Sequence, residues 1–178
     1  MISGRFNSPI KQNNCIALAK ALKALQLPVY VVEETGGGDF GPQTIIGLDT
    51  MAVMIMMVTE DYGAKTKSPY SSYVEVKYLI DKQDAENIEF LPLKMYKGGK
   101  WPPEVQDEAE LRKGKESPGA ANLKYLISSS KVFVDCSDFN YGTENFRADA
   151  MAKKLEPDLR KLLKTSCYTV RIGEVAGA

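Results

Sequence analysis

Apolar positions along this chain fall into two kinds of run. Ala52-Val53-Met54-Ile55-Met56-Met57-Val58 is unbroken, the pattern of a central parallel strand covered on both faces, with its methionines as core filler. Ile16, Ala19, Leu22 and Leu25 recur instead at helical spacing, with Lys20 and Lys23 on the opposite side. They predict an amphipathic helix that Asn13 or Asn14 caps and Pro28 ends. Residues 1–6 read as a strand before this helix, and Val29-Tyr30-Val31-Val32 as a short β-branched strand after it. A glycine-rich loop and a brief helix around Gln43 to Asp49 then lead into the central strand.

Beyond that strand, Ser68 as cap and Pro69 at the first position predict the start of another helix, with Asp81 to Asn87 a polar stretch after it. Ile88 to Tyr96 reads as the fourth strand, and its Pro92 calls for a sheet edge or a bulge. Residues 97–118 are polar, with Trp101-Pro102-Pro103 near their start, and read as a surface excursion. A short helix around Ala120 to Ser128 precedes the fifth strand, Lys131 to Asp135. Thr143 then caps a long helix that Pro157 should break or kink, and Tyr168, Val170 and Ile172 alternate as a final edge strand. Strand alternating with helix throughout means a doubly wound α/β sheet of five strands, with an extra C-terminal edge strand. At 178 residues without repeat or linker, one domain is expected.

Charge narrows the partners. Lys plus Arg and Asp plus Glu both number 23, so no overall field favours nucleic acid or an anionic membrane. No apolar run reaches transmembrane length and no signal peptide precedes the first strand, so a cytoplasmic protein is expected. Cys15, Cys136 and Cys167 are scattered without a CxxC pair, which suits a reduced compartment. Histidine is absent. That removes Ser-His and Cys-His nucleophiles, HExxH zinc sites and histidine bases, and no metal site is expected. Chemistry must rest on carboxylates, hydroxyls, Arg or Lys.

Four features compete for that role. Gly36-Gly37-Gly38-Asp39-Phe40-Gly41 satisfies G-x-G-x-x-G, with Asp61 about twenty residues on. It follows the second strand rather than the first, and Pro42 interrupts the next helix, so a mobile surface loop is the better reading. Asp61 stands where receiver domains carry a phosphoaccepting Asp, but Ser3-Gly4-Arg5 lacks the acidic residues that magnesium would need. A cap or turn explains it. Cys15 without a histidine partner reads as a buried structural thiol.

Glu75 differs from these. Ser71 and Ser72 lie one turn before it and Tyr78 and Leu79 one turn after, so the usual i,i+4 cation of a surface Glu is missing. Its helix follows the central strand and starts near the carboxyl edge of the sheet, where α/β proteins bind ligands. Arg5 leaves the first strand at the same edge. It suits either a surface salt bridge or a phosphate.

Together these residues resemble the TIR (Toll/interleukin-1 receptor) domain. Ile2-Ser3-Gly4-Arg5 is similar to that family's first-strand I-S-Y-R, and Gly36 to Phe40 falls on its long BB loop. Ala17 to Leu22 and Val29 to Val32 fit the elements between. Thr59-Glu60-Asp61-Tyr62 through Ser68-Pro69-Tyr70 and Glu75 resembles the third-strand exit and its glutamate helix, and Trp101-Pro102 the tryptophan-proline loop. The likeness covers residues 1–103 well and 120–163 loosely. It departs at Gly4, where the family has tyrosine, and at Ser71, where an aromatic usually stands. Residues 97–118 and the extension 165–178 have no counterpart after Trp101 and Lys164 respectively.

The resemblance implies a flavodoxin-like three-layer sandwich with a central five-stranded parallel sheet. It further implies an NAD+ glycohydrolase of immune or cell-death signalling, for which NAD is substrate rather than cofactor. Glu75 would be catalytic, and Ser3, Arg5, Phe40, Tyr70 and Ser71 would bind substrate. Homotypic self-association through the BB loop is implied too. The other readings are a non-catalytic adaptor that only assembles, and an enzyme like the nucleoside deoxyribosyltransferases. Nicotinamide leaves NAD as a neutral base and needs no general acid, while charge develops on an oxocarbenium-like ribose. One carboxylate can stabilise that cation.

Overall fold

The central apolar run forms β2, Val53–Val58, in which every residue is buried. Its side chains alternate between two cores. Val53, Ile55 and Met57 join one, while Met54, Met56 and Val58 join the other, as the two-residue period of a strand requires. The computed structural model describes residues 1–31, 40–67, 71–86, 88–107, 117–129 and 133–166. Among these, four strands run parallel in the order β1-β2-β3-β4, with β1 at Ile2–Ser3, β3 at Glu89–Lys94 and β4 at Val134–Asp135.

Helices cover both faces. On the first lie α1, Pro9–Ala24, and α5, Ala148–Thr165, which bring Cys15, Leu18 and Leu22 against Met151, Leu155 and Leu159. On the second lie α2, Phe40–Thr50, α3, Ser72–Glu86, and α4, Pro118–Ser129. There Leu48, Val76, Leu79, Leu123 and Leu126 close over Met54, Met56 and Val58. Full burial of such side chains stabilises the fold by about 1.5–3 kcal/mol each. The methionines of β2 are core, as read from the sequence. So is Cys15, whose thiol burial pushes up to about 12.

Several expected boundaries move. The first strand spans two residues rather than six, and α1 starts at Pro9 because Ser8 caps it, accepting the amide of Lys11. Asn14 sits inside α1 instead, donating to Thr143 O and accepting from Gly142 N. Residues 28–31 form no regular strand, although Ile2 N donates to Tyr30 O at 2.8 Å and so lays them along β1. A two-residue β1 offers them little to pair with. Pro42 does not interrupt α2 but falls in its first turn, where a missing N–H costs nothing.

Further along, α3 begins at Ser72 and continues through the stretch read as polar loop, to Glu86. Pro92 lies in an inner strand. The β3 amides of Glu89 and Met95 face β2, and Lys94 O meets Cys136 N of the β4 side, so the prolyl nitrogen also points toward β4. Among the described residues β4 pairs only from Leu93 onward, past the point where Pro92 would owe a hydrogen bond. Thr143 caps a turn rather than α5, its hydroxyl engaged with Asn140 O and Asn145 N. Pro157 does not end α5, which runs on to Thr165 with Arg160 tied to Leu25 O.

The excursion after β3 is not all surface. Val105 and Asp107 are buried, and Asp107 accepts the amides of Lys65 (2.7 Å) and Gly119 (3.2 Å). A Cβ at Gly119 would stand 2.5 Å from that carboxylate and from Gly63 O, so only glycine fits there. The final edge strand, most of the glycine-rich loop and the Ser68-Pro69 cap lie outside the described residues.

Candidate functional site

The direction in which the chain winds across the sheet reverses beside β1. Residues 28–31 lie on one side of it and β2 on the other, and such a switch point opens a crevice at the carboxyl ends of the strands. Ser3 ends β1 and Thr59-Glu60-Asp61-Tyr62 leaves β2 at that place. Glu75 reaches the same place from the first turn of α3. The turn that starts this helix is fixed locally, since Ser71 O accepts Val74 N and Glu75 N, and Ser72 Oγ accepts Gly63 N.

Three side chains meet here. Ser3 Oγ stands 2.5 Å from Glu75 Oε2 and 2.5 Å from Tyr62 OH. Glu75 is 6% exposed and Tyr62 fully buried. Burial raises the Glu75 carboxyl from its ordinary range to about 7, while the hydroxyl of Ser3 works in the opposite direction. Burial also holds the Tyr62 phenol well above its usual value, and the charge of Glu75 adds to this. Asp107, the other buried carboxylate among the described residues, is satisfied by backbone amides. The hydrogen bond to Glu75 comes instead from a hydroxyl.

Arg5 lies at the same edge, and its Nε meets Asp61 Oδ2 at 3.1 Å while Nη1 donates to Asp61 O at 3.0 Å. Of its two sequence-level readings, the salt bridge is the one formed. Asp61 also accepts from Thr59 Oγ1 (2.6 Å) and Asn7 Nδ2 (2.9 Å), with Lys11 Nζ 3.9 Å away. Ser71 Oγ is buried with no hydrogen-bond partner among the described residues. Phe40 opens α2, with its side chain outside the described residues, as is the whole of Tyr70. Thus Ser3 and Glu75 come together, Arg5 joins the same edge, and Ser71 precedes the helix that carries the carboxylate.

Sequence reasoning missed Tyr62 and the pairing of Asp61 with Arg5. Both had a signal. Strands that are parallel neighbours leave the sheet side by side, so residues just beyond β1 and β2 must meet. A tyrosine in the turn that follows an all-apolar central strand stays under the helix that comes next.

No group of His, Cys, Asp or Glu among the described residues is arranged to hold a metal ion. Likewise, no described helix is long and apolar enough to cross a membrane. Compared with known proteins, the chain matches no family model and no curated sequence.

Proposed function

We propose that this protein cleaves the nicotinamide–ribose bond of NAD+, with Glu75 as the catalytic carboxylate, on a flavodoxin-like sandwich with a five-stranded parallel sheet. One observation carries the reading: a buried carboxylate, whose side-chain hydrogen bond comes from the Ser3 hydroxyl, stands at the topological switch point of a parallel sheet.

The chemistry follows from charge. Nicotinamide is a pyridinium while bonded and departs with the bonding electron pair as a neutral base. Positive charge is left on the ribose, and an ionised Glu75 lowers the energy of that cation in a site with little water to screen it. Water then adds at the anomeric carbon and gives up a proton, yielding ADP-ribose. An internal nucleophile of the same substrate gives a cyclic isomer instead. With a carboxyl raised to about 7, the ionised form is accessible near neutral pH, and the pyridinium ring of the substrate favours it.

The setting proposed is cytoplasmic signalling by a self-associating domain. Incubation of the pure protein with NAD+, followed by chromatography, tests the reading. Nicotinamide release supports it. Its absence in folded, concentrated protein overturns it and leaves the adaptor, while cleavage of deoxynucleosides in place of NAD+ favours the deoxyribosyltransferase-like enzyme.

A further inference from the structure

The Arg5–Asp61 cluster is not explained by the chemistry of Glu75, yet it adjoins it. Arg5 lies two residues beyond Ser3, and Asp61 immediately precedes Tyr62, the two side chains that meet beside Glu75. Four groups converge on the Asp61 carboxylate: the Arg5 guanidinium, the Asn7 amide, the Thr59 hydroxyl and, at 3.9 Å, the Lys11 ammonium. The anion is the outermost of the charged members. Its side chain is 38% exposed, against 20% for Arg5 and 22% for Lys11.

Two cations and an amide gathered around one carboxylate make a site of net positive charge, with the single negative group nearest to solvent. A partly exposed ion pair is worth little because water screens it. A diphosphate carries more charge than a carboxylate, and its oxygens suit the planar fork of a guanidinium. Asp61 can therefore be exchanged for such an anion without leaving a charge buried.

We infer that Asp61 occupies the seat of a substrate diphosphate, so that the Arg5–Asn7–Lys11 edge is an anion site closed by the chain's own carboxylate until substrate displaces it. This rests on the NAD+ reading for the identity of the substrate, but not for the existence of the anion site. Asp61 thereby sets the affinity for the phosphate-bearing part of the substrate, and its effect belongs in KM.

Calorimetric titration with inorganic pyrophosphate tests the inference without any turnover. Asp61→Asn removes the competing charge and is expected to bind pyrophosphate about fivefold tighter than the unaltered protein, the worth of one screened ion pair. Lys11→Gln is expected to bind it about fivefold more weakly. Binding by Asp61→Asn that is unchanged or weaker overturns the inference. Should Asp61→Asn not fold, Lys11→Gln decides, because its side chain lies at the surface edge of α1, and unchanged binding there overturns the inference as well. Nicotinamide release by a protein that ignores pyrophosphate sinks the anion site alone. Pyrophosphate binding with no nicotinamide release sinks the NAD+ reading and leaves the anion site standing.

Discussion

Ser3 and Glu75 lie 72 positions apart in the chain, and the hydroxyl of the one is 2.5 Å from the carboxylate of the other. The contact joins the end of β1 to the first turn of α3 across the exit of β2. A carboxylate so held is both a positioned group and an expensive one, because it has left water without gaining a counter-charge among its hydrogen-bond partners. Its chemistry and its effect on stability follow from that.

Replacement of Glu75 by glutamine keeps the shape and the contact with Ser3 while deleting the charge. Nicotinamide release is expected to fall by about 100-fold or more, the usual loss when an electrostatic stabiliser of the transition state is removed. Product chromatography on protein checked by circular dichroism measures it. Unchanged turnover in folded Glu75→Gln would remove this residue from the mechanism.

Activity should rise with pH through about 7 and level off above, since the ionised carboxylate is the working form. Stability should move the other way. Between pH 4.5 and about 7 the folded protein keeps a proton on Glu75 that the unfolded chain has released, so the contribution of this group to stability falls as pH rises across that window, by about 3 kcal/mol for a shift of this size. Below it and above it Glu75 adds no pH dependence. Urea unfolding at pH 5 and pH 8, compared with Glu75→Gln, isolates the effect. An equal change in both proteins would show that Glu75 titrates normally.

Ser3→Ala deletes the hydroxyl that favours the ionised form. The midpoint of the pH–activity profile is expected to shift upward, and the fold to weaken by about 1–3 kcal/mol as the buried Tyr62 hydroxyl loses its partner. A profile with its midpoint unmoved would mean that Ser3 does not govern the carboxylate.

Specific activity is expected to rise with protein concentration. Ile45 and Ile46 are exposed on α2, the helix that Phe40 opens after a glycine-rich loop, and such surface is more readily covered by a second copy than left in water. If only the assembled form is competent, dilution lowers the competent fraction and apparent affinity together. A dilution series beside light scattering checks this, with Phe40→Ala expected to require higher concentration for the same activity. Constant specific activity in a monomeric sample would refute it.

Much of the architecture was legible because burial on both faces leaves a plain mark: β2 could be nothing other than an inner parallel strand. Glu75 was legible through what it lacked, a cation one turn away. The pairing of Asp61 with Arg5 was not, because each residue taken singly has an adequate local explanation and only the adjacency of two strand exits joins them. The start of α1 was misplaced where capping residues competed. Ser8 prevailed over Asn13 and Asn14 because Pro9 follows it directly, while Asn14 was drawn into the core by the turn at residues 142–143. Pro157 misled for the opposite reason, since the apolar face of α5 against α1 holds the helix through the missing hydrogen bond.

Asp107 gives the region a distribution of motion. By gripping the amides of Lys65 and Gly119, it fastens the loop beyond Tyr62 to the start of α4, so this loop and that helix open together or not at all. Slow hydrogen exchange at those two amides would be the signature of this clamp, and its rate would record how often the link between loop and helix opens.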